Sequence, residues 1–277
     1  MPRFSLIVPT IHRTSELERL LESLQEQAGD FEVIVVDQNP DDRVVRIIER
    51  FSDALTLIRV PSSKGASRAR NAGLDAARGE IVAFPDDDAW YPPGLLPQID
   101  ELFTSHPEFD GFCVRGTDED GNDAGIRWLE HPAVINRFNI WRTSIEFSMF
   151  FRSAAVSDLR FNEQLGPGAT TGWDCGEGTD LMLRMLDRGC TFNYEPRLVV
   201  HHPSSASCPP SEAKTLAYAR GIGRVLHLNG YAPTAAAVLC FGPFARAAIG
   251  VARFDFRAAA LNSKIALSRF AGYRSKL

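Results

Sequence analysis

Three consecutive carboxylates, Asp86, Asp87 and Asp88, follow the apolar run Ile81-Val82-Ala83-Phe84. Like charges at the mouth of a buried strand repel one another and lose hydration, so they persist where a cation neutralises them or where water reaches them. Oxygen ligands of this kind suit a hard divalent ion, Mg2+ or Mn2+, whose shell is completed by water and substrate phosphates. Two further carboxylates, Glu177 and Asp180, open a helical pattern that continues through Leu181, Arg184 and Met185. Their spacing sets them one turn apart on one face, at the helix end where the dipole favours anions. A helix-capping role competes with a chemical one there, above all for Asp180.

The elements that must carry these groups are legible as alternating strand and helix patterns. Phe4-Ser5-Leu6-Ile7-Val8 reads as a strand ended by Pro9-Thr10, and Leu17, Leu20, Leu21 and Leu24 give one helix face after a capping box at Ser15 and Glu18. A second strand spans Phe31 to Val36 with Asp37 at its carboxyl end; a second helix carries Val44, Ile47, Ile48 and Phe51; a third strand spans Leu55 to Val60. A small-residue helix is expected from about Ala66, with Gly79 as its stop. This alternation predicts an α/β fold with a doubly wound, mostly parallel sheet flanked by helices.

In such a sheet, ligands bind at the carboxyl ends of the strands. Thr10, Arg13, Asp37, Lys64 and Asp86 to Asp88 all fall there, within reach of one cleft. Asp37 is suited to accept hydrogen bonds from a ribose or a base edge. Neither G-x-G-x-x-G nor G-x-x-x-x-G-K-[ST] is present, so the dinucleotide and P-loop readings lack their phosphate cradle. Phosphates would instead meet a metal on the aspartates together with Arg68 or Arg70.

Four motifs occur in order: Leu6-Ile7-Val8-Pro9-Thr10, Val33-Ile34-Val35-Val36-Asp37, Gly65-x-x-x-Ala69-Arg70-Asn71-x-Gly73, and Gly79-Glu80-x-x-x-Phe84-x-Asp86-Asp87-Asp88. Together they resemble the nucleotide-sugar-binding half of a family 2 glycosyltransferase of the GT-A fold, of the bacterial polysaccharide-assembly type. The resemblance implies that Pro9, Thr10, Arg13, Asp37, Arg70, Asp86 and Asp87 line the nucleotide sugar, and that Asp86 and Asp88 hold a metal as the DxD motif. Pro85 and Ala89 depart from the usual pattern without removing either outer carboxylate. The stretch from Trp173 to Arg184 resembles the family's acceptor-side motif, which implies Glu177 as general base with Asp180 second, and Trp173 as a wall of the acceptor site. Gly178 stands where the family places the second acidic residue, so the base assignment stays open between the two. The strand from Tyr194 to His202 ends in two histidines, and the resemblance points to His202 as a metal ligand.

The second half is otherwise less regular. A strand and an acidic turn are expected between Asp110 and Asp123, where Asp118, Asp120 and Asn122 begin a calcium-loop pattern that Asp123 and Leu129 break. Phe147 to Phe151 reads as a core strand.

Of 277 residues, 44% are hydrophobic and 23% charged, as in an ordinary globular protein, and disorder is not indicated. The net charge of −5 conceals an asymmetry: from Ser211 onward ten basic residues stand against Glu212 and Asp255 alone. The expected organisation is a catalytic domain over 1–210, divided into a nucleotide-sugar half (1–110) and an acceptor half (111–210), followed by a basic helical tail over 211–277. The boundary is expected at Ser204 to Pro210. Within the tail, the apolar stretch Ala232 to Ala252 is interrupted by Gly242-Pro243 and carries Arg246, which suits a segment lying on a membrane surface rather than crossing it. Packing against the catalytic domain is the competing expectation. Five scattered cysteines and no secretory signal point to a reduced, cytoplasmic setting, at the inner face of the membrane if the tail binds there.

The expected activity is metal-dependent, inverting transfer of a sugar from a nucleotide-diphosphate sugar to a hydroxyl of a glycan or lipid-linked acceptor, with no nucleic-acid partner. A nucleotidyltransferase is the first alternative, weakened by the absence of a Gly-rich phosphate loop after the first strand. A catalytically silent sugar-nucleotide-binding or scaffold protein is the second, kept open by Gly178.

Overall fold

A computed structural model describes residues 1–205 and 207–275. Ala206, in the expected boundary, and Lys276, among the tail's basic residues, lie outside the described residues. The chain divides into two compact units. The first comprises Met1–Lys64, Arg68–Arg160 and Leu181–Pro209; the second comprises Gly65–Ser67, Phe161–Asp180 and Pro210–Leu277.

The first unit is built on an eight-stranded sheet in the order β3-β2-β1-β4-β7-β5-β8-β6 among the described residues. Its strands are β1 (Phe4–Thr10), β2 (Phe31–Asp37), β3 (Thr56–Pro61), β4 (Ile81–Ala83), β5 (Gly111–Thr117), β6 (Ala133–Val134), β7 (Met149–Arg152) and β8 (Phe192–His201). β1 to β4 pair in parallel, while β7 runs antiparallel to β4 and β5, and β6 antiparallel to β8. The mixed, mostly parallel sheet with flanking helices is the fold the alternation predicts. β1 is buried along its whole length, as a central strand covered on both faces must be.

Helices α1 (Ser15–Gln25), α2 (Arg43–Phe51), α3 (Ala66–Ala76) and α4 (Leu95–Ser105) link or follow the parallel strands, and a short α5 (Ser153–Val156) follows β7. α1 buries Leu17, Leu20, Leu21 and Leu24, the stripe its periodicity announces. Its capping box does not form, because Thr14 takes the N-cap position and Ser15 is already helical, its hydroxyl turned to Glu16. Gly79 is not the stop of α3, which ends at Ala76. It is there because β1 passes so close that a Cβ would lie 2.5 Å from the Ser5 amide nitrogen.

α6 (Glu177–Asp187) begins in the second unit and continues into the first. The second unit's own helices are α7 (Glu212–Leu228), α8 (Pro233–Ala252) and α9 (Phe256–Arg274). α7 and α9 cross with backbones almost touching: a Cβ on Gly223 would meet the Arg269 carbonyl oxygen at 1.8 Å, and one on Gly272 the Arg220 carbonyl oxygen at 1.9 Å. Contrary to expectation, Gly242-Pro243 does not interrupt α8. Pro243 gives up one backbone bond, but it lies on the buried side of the helix, where packing offsets the loss.

Candidate active site

β1 and β2 end side by side, Thr10 opposite Asp37, and β4 runs parallel beside β1, so the loops that follow all three leave the same edge of the sheet. Asp37, the last residue of β2, is held from both sides: Asn39 donates its backbone and side-chain N–H to Oδ1 at 2.9 and 2.8 Å, and Arg59 of β3 donates Nε and Nη2 to Oδ2 at 2.9 and 2.8 Å. Asn39 also accepts the backbone N–H of His12 at 2.7 Å and so ties down the loop after β1, where His12 adopts a left-handed φ of 64°. Pro9 and Thr10 are buried at the end of β1, the Thr10 hydroxyl 3.5 Å from the Arg13 carbonyl. Sequence reasoning missed Asn39 and Arg59. The strand register sets Arg59 beside Val35, two residues before Asp37, and no local pattern signals that.

Two arginines serve the three aspartates after β4. Arg70, buried on α3, donates Nη2 to Asp86 Oδ1 at 2.7 Å. Arg13 Nη1 reaches both Asp87 Oδ1 and Asp88 Oδ2 at 2.7 Å. Burial pushes the Asp87 carboxyl up to about 6, although Arg13 pulls the other way. Burial opposes the Asp88 charge too, yet the His202 hydrogen bond and Arg13 outweigh it and hold this carboxyl below the ordinary range.

His202, just past β8, completes the group. Its ring stacks on Phe147 with centroids 4.5 Å apart and planes 9° from parallel. Nδ1 lies 2.9 Å from the Pro203 carbonyl oxygen, which only accepts, so Nδ1 must donate there. Nε2 then faces Asp88 Oδ1 at 3.2 Å and Asp86 Oδ2 at 4.0 Å. A lone pair on that nitrogen facing carboxylate oxygens is repulsive unless a cation lies between them. A proton is one solution: burial lowers the imidazole's pKa, but Asp88 and Asp86 more than reverse this and leave it raised. A divalent ion is the other, since one ligand atom from each of Asp86, Asp88 and His202 lie within 4.8 Å of one another. Two carboxylates and an imidazole of fixed tautomer fit Mn2+, and fit Mg2+ less well.

In the second unit, Glu177 and Asp180 are both 3% exposed, one turn apart at the start of α6. Gly166, with φ of 96°, makes room for Glu177: a Cβ there would sit 2.6 Å from the carboxyl carbon. Its backbone N–H binds the Trp173 carbonyl at 2.8 Å. Asn229, which caps the end of α7, donates Nδ2 to Asp180 Oδ1 at 2.9 Å. Trp173 is 5% exposed, its ring covered by Arg224 of α7, whose guanidinium carbon lies 4.5 Å from the ring centroid. Arg224 in turn donates to the Ser275 carbonyl at 2.6 Å. Gly166, Arg224 and Asn229 escaped the sequence reading because each acts on a residue distant in the chain.

The acidic turn after β5 closes on itself. Asp118 accepts from the backbone of Asp120 and Asn122 and from the Asn122 side chain, a compact turn of the kind expected in place of a calcium loop.

The model of the family described as "Glycosyl transferase family 2" matches residues 5–159. A Campylobacter jejuni protein named GalNAc(5)-diNAcBac-PP-undecaprenol beta-1,3-glucosyltransferase is 31% identical over 184 residues, covering 62% of this chain and 59% of its own length. Among solved structures, the mannosyltransferase PcManGT of Pyrobaculum calidifontis, in complex with GDP-Man and Mn2+, superposes with a TM-score of 0.64 at 17% identity, over 100% of this chain and 88% of that one. TarS of S. aureus in complex with UDP-GlcNAc gives a TM-score of 0.59 at 17% identity, over 94% and 90%. At such identities the structures establish a shared GT-A-like fold.

Proposed function

The chain belongs to glycosyl transferase family 2, and from that premise we propose that it transfers a sugar, with inversion, from a nucleotide-diphosphate sugar to a hydroxyl of a glycan or lipid-linked acceptor. The observation that carries the reading is the Asp86, Asp88 and His202 cluster at the carboxyl edge of the sheet, braced by Arg70 and Arg13. A divalent cation bound there would supply the positive charge that offsets the developing charge on the leaving diphosphate.

The chain's own residues account for the remaining steps. The nucleoside end of the donor belongs at the Asp37, Asn39 and Arg59 corner, where fixed hydrogen bonds pre-set the donors and acceptors it meets. Arg13 and Arg70 add positive charge beside the diphosphate. Glu177 or Asp180 takes the proton of the acceptor hydroxyl as it attacks the anomeric carbon from the face opposite the leaving group, which inverts the configuration. Trp173 borders the acceptor. The Campylobacter relative's name contains PP-undecaprenol, which supports a lipid-linked acceptor and a place in polysaccharide assembly. Work on such an acceptor suits a cytoplasmic enzyme peripheral to the inner face of the membrane, with the tail as the membrane-facing part.

The test is donor turnover across a panel of nucleotide sugars with Mn2+ or Mg2+. Turnover that disappears with chelator and in both Asp88→Ala and Glu177→Ala supports the proposal. Undiminished turnover in Asp88→Ala with chelator present overturns the metal-dependent reading.

A further inference from the structure

α8 is inside out for a helix in water. Ala236, Cys240, Pro243, Ala247 and Gly250 are buried, while Val238, Phe241, Phe244, Ile249 and Val251 are exposed, Val238 at 73%. At 100° per residue, the exposed set falls within an arc of about 160° and the buried small residues within about 80° on the opposite side. Small residues let α8 and α9 approach closely, which is how helices associate where the surroundings are themselves apolar. Among the described residues, α8 is the one helix long and apolar enough to cross a membrane, by length and composition only.

The turn into α9 adds two more exposed apolar rings to the hairpin. Phe254 is held at a left-handed φ of 59° and is 82% exposed, and Phe256 is 64% exposed, their rings 6.5 Å apart. Arg253 and Arg257 bracket the pair. Asp255 between them is spent on α9, accepting the Ala258 N–H at 2.9 Å as its cap. It is the only acidic residue between Pro233 and Ser275, against six basic ones.

We propose that the α8–α9 hairpin lies in the plane of an anionic phospholipid surface, with Phe254 and Phe256 as its inserted tip and Arg253 and Arg257 on the headgroups. This rests on the reading of the tail as membrane-facing and names the element, its orientation and its lipid. The charge pattern selects the partner. A second copy would bring the arginine pairs together with little acid to offset them, whereas anionic headgroups neutralise them. The same pattern selects the depth: the exposed Arg246 on α8 and Arg257 and Arg274 on α9 oppose burial across the hydrocarbon, while a flat hairpin keeps them at headgroup level.

The experiment is sedimentation of the full chain with phosphatidylcholine vesicles, with and without phosphatidylglycerol, beside the double variant Phe254→Ser/Phe256→Ser. Binding should require phosphatidylglycerol, weaken with salt, and fall roughly tenfold or more in the variant. Thermal melting by circular dichroism shows that the variant folds. Several results would overturn the proposal: no binding, equal binding to neutral vesicles, wild-type binding by the variant, retention through alkaline carbonate extraction as a spanning helix requires, or a dimer that the substitutions split. Donor turnover in lipid-free buffer separates the two readings, since the variant should retain it. Vesicle binding by a protein that turns over no donor even when glycan and lipid-linked acceptors are supplied would remove the transferase proposal and leave this one standing.

Discussion

Asn229 Nδ2 donates to Asp180 Oδ1 at 2.9 Å, a bond between the end of α7 and the start of α6 that joins residues 49 positions apart. Both are almost fully buried, and Asn229 also reaches the Val225 carbonyl at 3.0 Å, which fixes the direction of its amide. The C-terminal helices therefore help to build the acidic end of α6. Replacing Asn229 by Ala should lower acceptor-dependent kcat/KM by about tenfold, equivalent to ~1.4 kcal/mol, with nucleotide-sugar affinity unchanged. Calorimetric donor binding beside acceptor kinetics separates the two effects. Equal loss of both would mean that Asn229 supports only the fold.

Gly166 faces the Glu177 carboxylate with no room for a methyl group, and its φ is one that side chains disfavour. Gly166→Ala should abolish at least 90% of turnover, a loss of ~1.4 kcal/mol or more of transition-state stabilisation. Donor affinity should remain. If Glu177→Gln keeps activity that Asp180→Asn lacks, the base is Asp180, and the Gly166 effect should shrink accordingly.

Arg13 Nη1 lies 2.7 Å from both Asp87 Oδ1 and Asp88 Oδ2, one positive charge shared between two carboxylates. Removing that charge leaves largely buried carboxylates opposed by Arg70 and the His202 ring. Arg13→Gln should therefore lower the Tm of the metal-free protein, with a cost of about 1–3 kcal/mol. It should also enlarge the rise in Tm produced by Mn2+, because the cation no longer competes with a guanidinium. Differential scanning fluorimetry with and without Mn2+ measures both, and an unchanged Mn2+ response would refute the competition.

His202→Ala removes the imidazole whose Nε2 faces Asp88 and Asp86. Affinity for Mn2+ should fall about 10–100-fold and affinity for Mg2+ less, since nitrogen ligands favour Mn2+. Isothermal titration with each ion tests the difference, and equal losses for both would argue against direct ligation.

Glu32 provides a pH test away from the site. Its carboxylate, 1% exposed, accepts from Ser5 Oγ at 2.7 Å, from the Arg78 backbone N–H at 2.8 Å and from Arg78 Nη2 at 2.8 Å. Burial works to raise its pKa, but these hydrogen bonds and the guanidinium charge prevail and lower it. A folded pKa below the unfolded value of about 4.3 means that the stabilisation is fully present above that pH and is lost as pH falls through the folded value. Glu32→Gln should flatten stability against pH in that acid window, while leaving the slope near neutrality unchanged. Urea unfolding at a series of pH values measures it.

The sequence by itself determined the alternation of strands and helices, the buried faces of β1, β2 and α1, and the placing of Asp37 and the aspartate triplet at carboxyl ends of neighbouring strands. Periodicity encodes those features because backbone hydrogen bonding repeats over two or 3.6 residues, so a few neighbours suffice to fix each face. Local signals misled where a distant element took over. β1 claimed Gly79 for close approach, and packing against α9 carried α8 through Pro243. Only the tertiary structure decided which partner each charge has: Arg13 on Asp87 and Asp88, Arg59 on Asp37, Asn229 on Asp180. Each pairing joins separate elements, 74, 22 and 49 residues apart, and depends on strand order and helix crossing, which no short stretch of chain contains. The outward turn of the large residues on α8 was settled in the same way, since either face of an evenly apolar helix is able to pack inward until a neighbour rich in small contacts selects one.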